Sequence, residues 1–331
     1  MTTLVIRPFR DEDREAITEF RNARLPVHLQ ETVAEWRRAD SRKPEGEVAL
    51  RLCAVASDDQ PVAYLNAVDR GTTAWRKPGV CGFGVWVAAA YQRQGIGGQL
   101  YERAVEFARQ HELVRLSAFV RFCQPGEPAI RFLEKRGFTE VDREIPVMLD
   151  LKTFPREQFV SPVPDGIRFL SYAEAGDTLE NRQTLHALMA KIDRDIPTND
   201  VQPESPAFEQ WVKDLDTPEW NSDALILASD SASKWVGISQ LGFQEHTNIA
   251  WTFLTGVLPE YRGLGIAYAL KLRAIDAAIA RGCPLILTEN HEDNAPMRAI
   301  NKKLGFVLEA PDVSYSKDLE PLPLVPRSLP C

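Results

Sequence analysis

Apolar positions along this chain follow two rhythms, short runs at every second residue and longer stretches with a period near 3.6, and the order of those runs is played twice. "VIRPFRDED" (5–13) and "GIRFLSYAE" (166–174) each give an apolar strand signal, then polar residues that open a helix. "LCAVASDDQPVAYLNAV" (52–68) and "LILASDSASKWVGISQLGF" (225–243) each set two apolar runs around a polar turn, the pattern of a hairpin. "VWVAAAYQRQGIGGQLYERAVEFA" (85–108) matches "FLTGVLPEYRGLGIAYALKLRAIDAAIA" (253–280): a strand, a glycine turn and a helix. "PAIRFLEKRGF" (128–138) matches "PMRAINKKLGF" (296–306). The second long helix ends on Gly282, a sensible C-cap.

Matching segments stay 161–170 residues apart, so the chain reads as a duplication of about half its length rather than a solenoid. The periodicity lapses in "DLKTFPREQFVSPVPDG" (150–166), where three prolines break any helix. The expected organisation is a first domain over 1–150, a linker over 151–166, a second domain over 167–320 and a proline-rich tail over 321–331. The fold class is mixed α+β, with sheets flanked by helices.

Composition narrows the function more than it names it. With 331 residues, 44% hydrophobic and 26% charged, the chain is long enough for two ordinary cores. A net charge of −8 and the absence of Lys/Arg runs argue against nucleic acid as a partner. Cys53, Cys81, Cys123, Cys283 and Cys331 are isolated, with no CxxC pair, and the five histidines are scattered, so neither a disulfide framework nor a metal site is expected. No apolar stretch reaches membrane-spanning length and the N-terminus lacks a signal-peptide core; a cytoplasmic protein without a membrane partner is the expectation.

The two glycine turns carry the chemistry. Each follows an apolar strand and opens a helix, where small residues let a ligand approach backbone and the first N–H groups lack partners within the helix. Aided by the helix dipole, they suit a phosphate. Neither turn ends in GK[ST], which excludes a nucleotide-hydrolysing P-loop, and neither has the third glycine of a dinucleotide-binding turn.

Both turns fit the pattern Gln/Arg-x-x-Gly-x-Gly/Ala, as Gln92…Gly95-Ile96-Gly97 and Arg262…Gly265-Ile266-Ala267. With "FLEKRGF" and "INKKLGF" downstream, the chain resembles the GNAT superfamily of acyl-CoA-dependent N-acyltransferases over nearly its whole length, in a tandem arrangement of the kind mycothiol synthase has. The resemblance implies a sheet of about seven strands per domain, splayed between the fourth and fifth, with acetyl-CoA as co-substrate lying in the split. Its pantetheine arm would pair with fourth-strand backbone at Val85 and Val87, or Thr255 and Val257. Its pyrophosphate would sit on Gln92, Arg93, Gln94, Gly95, Ile96 and Gly97, or on Arg262, Gly263, Leu264, Gly265, Ile266 and Ala267.

The resemblance also implies an Asn that contacts the cofactor arm and, seven residues on, a Tyr that protonates the leaving sulfur. The second half has Asn294 and, at the Tyr position, Asn301, which can donate a hydrogen bond but not serve as an acid. The first half has Gly126 and Leu133, so the second half is expected to be catalytic and the first degenerate. In "LILTENHEDN" (285–294), alternation puts Thr288 and Asn290 on one face, Asn290 toward the cofactor, and Glu289 on the other. Glu289, His291, Glu292 and Asp293 are candidate bases, and Asp193 and Asp195 of "KIDRDIP" are candidates to attract a cationic amine. The expected function is N-acetylation of a small-molecule amine by a monomer or homodimer. A CoA-binding sensor or scaffold, and a protein or peptide N-acetyltransferase, are the alternatives.

Overall fold

The computed structural model describes residues 4–124, 127–161, 163–215 and 220–320; Gly126 and the tail from 321 lie outside the described residues. In chain order the elements are β1 (Val5–Pro8), α1 (Arg14–Asn22), α2 (Val33–Ser41), β2 (Ala49–Val55), β3 (Pro61–Asp69), β4 (Val80–Val87), α3 (Ile96–Gln110), β5 (Arg115–Val120), α4 (Pro128–Glu134) and β6 (Thr139–Asp150). There follow β7 (Arg168–Ser171), α5 (Tyr172–Ala175), α6 (Leu179–Asp193), α7 (Phe208–Leu215), β8 (Leu225–Ser229), β9 (Trp235–Phe243), β10 (Ala250–Val257), α8 (Ile266–Ala280), β11 (Leu285–His291), α9 (Ala295–Lys303), β12 (Val307–Leu308) and β13 (Asp312–Asp318).

Two compact units result. Among the described residues, the first comprises 4–120, 127–141 and 314–320, and the second 121–124 and 142–313. The first unit's strands run β1-β2-β3-β4-β5 with the end of β13 beside β5. The second unit's run β6-β11-β10-β9-β8-β7, and β12 pairs with β6. Neighbours pair antiparallel in β1 to β4 and in β7 to β10. One neighbouring pair in each unit, β4 with β5 and β10 with β11, is parallel.

Those parallel pairs are short. β4 meets β5 only at Val80–Gly82, and β10 meets β11 only at Ala250 and Trp251. Beyond them the strands diverge and leave one side of β4 and β10 without a strand partner among the described residues. A β-bulge at Phe253, between Thr252 and Leu254 in the pairing with β9, marks the divergence in the second unit. The pairing of β4 with β3 runs without a register shift.

Helix faces follow from what they cover. In α8 the stretch Leu270-Lys271-Leu272 is buried throughout, the sign of a helix packed on more than one side. Leu270 of α8 packs on Gly237 of β9, so one face of this sheet belongs to α8. The other face belongs to α6, whose Ile192 sits on Gly256 of β10. A Cβ at Gly256 would lie 2.1 Å from Ile192 Cγ2, so the helix rests where the strand has no side chain. Around that contact the core gathers Leu185, Leu188, Trp211, Ile238 and Leu254.

This contact yields a stability test. Gly256→Ala should destabilise the protein by about 1–3 kcal/mol, the usual cost of overpacking a core. In an Ile192→Ala background the added methyl has room, so its cost should fall; urea unfolding of the four-member cycle measures the coupling.

Candidate functional site

The glycine turn of the second unit is built by its own side chains. Arg262 Nε donates to the Val257 carbonyl at 3.0 Å, tying the turn to the end of β10. In the first unit Gln92 Nε2 donates to the Val87 carbonyl at 3.0 Å, the same bond from a shorter side chain. Gly263 and Gly265 take φ of +81° and +79°, with Gly265 as the left-handed N-cap of α8. Gly95 caps α3 with φ +86°, and Arg93 holds φ +63° where the second turn has glycine. Ile96 and Ile266 anchor the two helix starts in the core, while Leu264 is exposed. Gln94 Nε2 donates to the Ala90 carbonyl, and Gly97 faces Phe132 and Val87. Open space surrounds the Cβ positions of Gly95 and Gly263.

Along β10, register separates two linings. Thr255 shares a hydrogen bond of 2.9 Å with Ser239, its partner on β9, and lies on the α8 face, where Gly237, two residues from Ser239, also points. Val257 is buried. On β11, Ile286 and hence Thr288 and Asn290 share the α8 face, since Ile286 pairs with Ala250 in the core under α8. Asn290 Oδ1 accepts from Asn301 Nδ2 of α9. Asn301 is 2% exposed and its Oδ1 has no hydrogen-bond partner, an orphan acceptor beside the splay. Asn294 Oδ1 accepts from the Met297 N–H and caps α9, leaving its amide NH2 as the group available to a ligand.

Glu289 lies on the opposite face, that of α6, as does His291. β11 pairs with β6, placing Glu289 opposite Pro146 and His291 opposite Glu144. Two carboxylates therefore stand diagonally on one surface, at a separation of about 7–8 Å between backbone positions. Burial pushes the Glu144 carboxyl up to about 8, and the negative charges of Glu289, Asp142 and Asp312 add to the rise. Burial also raises Glu289; Arg121 opposes the rise and Asp312 reinforces it. Asp312 is itself raised by burial, against a hydrogen bond from the Phe122 N–H and the charge of Arg121.

His291 does not add a base to this group. Its Nδ1 accepts the Asp293 N–H at 3.1 Å, so the bonding assigns the ring proton to Nε2, which donates to Asp142 at 2.6 Å. Thr198, just beyond α6, donates to the other oxygen of Asp142 at 2.5 Å. The ring is a latch that fixes Asp142 and draws the segment after α6 over the α6 face. Glu292 and Asp293 point elsewhere: Glu292 lies 3.9 Å from Arg143, and Asp293 is exposed.

Asp195 accepts from Arg262 Nη2 at 2.6 Å, which brings it to the glycine turn. Asp193, at the end of α6, is pushed up to about 6 by burial. Three further groups escaped the reading of the sequence. Glu144 carried no signal, because the pairing of β6 with β11 spans some 140 residues. Gln240 and Lys271 did carry one, each a polar residue interrupting an apolar run. Lys271 is 3% exposed, with Nζ 5.2 Å from the centre of the Phe306 ring, and burial brings it down to about 7.

The first unit carries a side chain where the second has bare backbone packed under α6. Trp86 replaces the glycine of "LTGV", and its ring lies over Gly84, where a Cβ would meet it at 2.2 Å. Tyr64 stacks on Trp86 at 5.7 Å between ring centres, and the Arg21 guanidinium covers its ring at 4.9 Å. Leu133, at the position of Asn301, is buried.

The chain matches the sequence profile of the acetyltransferase (GNAT) family over residues 14–138 and again over 186–306. It is similar in fold to a tandem GNAT protein from the clavulanic acid biosynthesis pathway (TM-score 0.76, 18% identity, 96% of this chain and 99% of that one covered). A GCN5-related N-acetyltransferase from Sphaerobacter thermophilus gives a TM-score of 0.72 at 19% identity, with 96% of each chain covered. A glucosamine N-acetyltransferase region of a fungal multi-domain β-N-acetylglucosaminidase gives 0.68 at 14% identity, covering 95% of this chain and 38% of that one. Among the described residues no helix is long and apolar enough to cross a membrane, and no group of His, Cys, Asp and Glu is placed to hold a metal.

The raised Glu144 makes stability depend on pH. Its folded value near 8 exceeds the unfolded value near 4.5, so the native state binds more protons between them and loses stability as pH rises through that window. Glu144→Gln should therefore change Tm little at pH 5 and raise it relative to the parent at pH 8.5, as thermal unfolding followed by circular dichroism would show.

Proposed function

The chain belongs to the acetyltransferase (GNAT) family, and from that premise we propose that it transfers an acetyl group from acetyl-CoA to a small-molecule amine, with the chemistry in its second unit. One observation supports the reading: the splay of β10 and β11 opens at the Phe253 bulge, with the buried amide of Asn301 beside it where the first unit has Leu133.

The residues present suit acetyl-CoA. Gly263 and Gly265 are both left-handed, and open space at Gly263 offers an approach to the N-terminus of α8 suited to a pyrophosphate. The unpartnered side of β10 from Thr252 to Val257 offers backbone to an extended amide-bearing arm. Asn301 presents an orphan oxygen, and Asn294 a free amide NH2. When bound, the co-substrate supplies the acetyl group as a thioester.

The protein's own work is to position the amine and move its proton. Glu289, on the α6 face at the splay, takes the proton from the attacking nitrogen, directly or through water. Its raised carboxyl is a stronger base than an ordinary one once ionised. The C–N bond forms as the C–S bond breaks, and the thiolate takes its proton from solvent, since Asn301 has none to give. Asp195 and Arg262 hold the turn rather than the amine. The reaction uses no metal and suits a cytoplasmic enzyme.

Two tests follow. Gly265→Glu places an anion at the helix start and should abolish CoA binding by calorimetry and thiol release with an amine panel. Gly95→Glu should spare most turnover; equal losses would move the chemistry out of the second unit. Glu289→Gln should lower kcat by about 10²–10⁴-fold and remove the ascending limb of the pH–rate profile. In the parent that limb should lie above the usual carboxylate range, because Glu289 must lose a proton that burial makes it keep.

A further inference from the structure

The long helix of the first unit carries a groove on its outer face. Its volume is about 430 Å³, and Glu102, Val105, Glu106, Arg109 and Gln110 line it. Those positions fall at i, i+3, i+4, i+7 and i+8, a single stripe of α3. Leu100, Ala104 and Ala108 are fully buried and form the stripe turned to the sheet, so the groove lies on the other side of the helix. Val105 is the buried floor, and the four polar residues are exposed and make the rim. Glu106 pairs with Arg103 at 3.2 Å, whereas Glu102 forms no ion pair among the described residues. Arg109 stands two turns away from Glu102, toward the end of the helix.

The described chain ends beside the same helix. Asp318 of β13 accepts from Arg115 Nε at 2.7 Å, and the Leu319 N–H donates to the Val114 carbonyl at 2.8 Å. The Leu113 N–H in turn donates to the Ala108 carbonyl of α3 at 2.9 Å, so Glu320 is set down close to the helix's C-terminal end. The sequence continues as "PLPLVPRSLPC" (321–331). Its prolines favour an extended polyproline form that gives up little entropy on docking. Arg327 is the only charged side chain in the segment, and Leu322, Leu324 and Val325 precede it. Seven residues separate Glu320 from Arg327, a reach of about 22 Å in that form. The path to Glu102 is one helix diameter, about 10–12 Å, followed by about 12 Å along the axis from Gln110. The lengths agree.

We propose that the groove on α3 is a docking site for the chain's own segment 321–331. Arg327 pairs with Glu102 and Glu106, and Leu322, Leu324 and Val325 cover Val105. The segment runs antiparallel to α3, toward the glycine turn of the first unit. One stripe of one helix is far smaller than a stable interface between separate chains, whereas a tethered segment arrives at high effective concentration. Charge, order of residues and reach all suit this occupant. The inference concerns the first unit and stands apart from the acetyltransferase chemistry of the second.

Cys53, Cys81, Cys123 and Cys283 are buried, so a thiol-directed spin label goes to Cys331. Gln99→Cys, at an exposed position of α3, takes a second label. With Arg327 at Glu102, the last four residues reach back along α3, and the labels should give one narrow distance below about 25 Å. Reversing the rim with Glu102→Lys and Glu106→Lys should replace it by a broad distribution, and adding Arg327→Glu to that pair should restore the narrow distance. Trypsin should release residues 328–331 from the rim-reversed protein about threefold or more faster than from the parent, in keeping with the loss of a surface ion pair. A circular dichroism spectrum matching the parent's shows that the variants fold. A broad distribution in the parent, or a narrow distance that rim reversal leaves unchanged, overturns the inference. So does a narrow distance lost on dilution with unlabelled protein, which would put the segment of a second copy in the groove.

Discussion

Two backbone pairs, Ala250 with Ile286 and Trp251 with Leu287, hold β10 beside β11, and the ladder then stops. The function proposed for this protein depends on that early end. A parallel ladder that continued would bury the backbone of Thr252–Val257 in the sheet and leave no channel. The bulge at Phe253 turns the strand where the ladder ends, and Gly256 lets α6 settle on the strand just past it. The opening is therefore a built feature, fixed on one side by an inserted residue and on the other by a missing side chain.

The two glycine turns show which features serve the backbone and which serve a ligand. Gln92 and Arg262 make the same bond to the preceding strand, so that position is first a clasp for the turn. Arg93 occupies a left-handed conformation that Gly263 adopts without strain, so the first turn tolerates a side chain where the second keeps open backbone. The same difference recurs on the strand, where Trp86 fills the place that Gly256 leaves to a helix. The first unit packs this position with its own aromatic rings and Arg21, the second with Ile192 of α6.

Acidic residues in the second unit are sorted by partner. Asp142 is satisfied by Thr198 and His291, and Asp195 by Arg262, so these carboxylates fix structure. Burial raises the proton affinity of Glu144 and Glu289; neighbouring carboxylates add to the rise, and Arg121 opposes it at Glu289. Position in a network, not residue type, separates the acids with hydrogen-bond partners from those whose carboxyl groups are raised.

Local pattern by itself determined much of this protein. The repeat of strand, glycine turn and helix is written in the spacing of apolar residues, and the left-handed positions are marked by glycine because few other residues go there. Alternation in "LILTENH" set Glu289 apart from Asn290 before any partner was known, and register bears out that separation. Tertiary structure alone decided the rest, because it turns on contacts far apart in the chain. Glu144 joins the site only through the pairing of β6 with β11, Asp195 reaches Arg262 across 67 residues, and Trp86 closes the first unit only once its ring folds onto Gly84. Residue type announces what a side chain is able to do; packing chooses which neighbour it does it with.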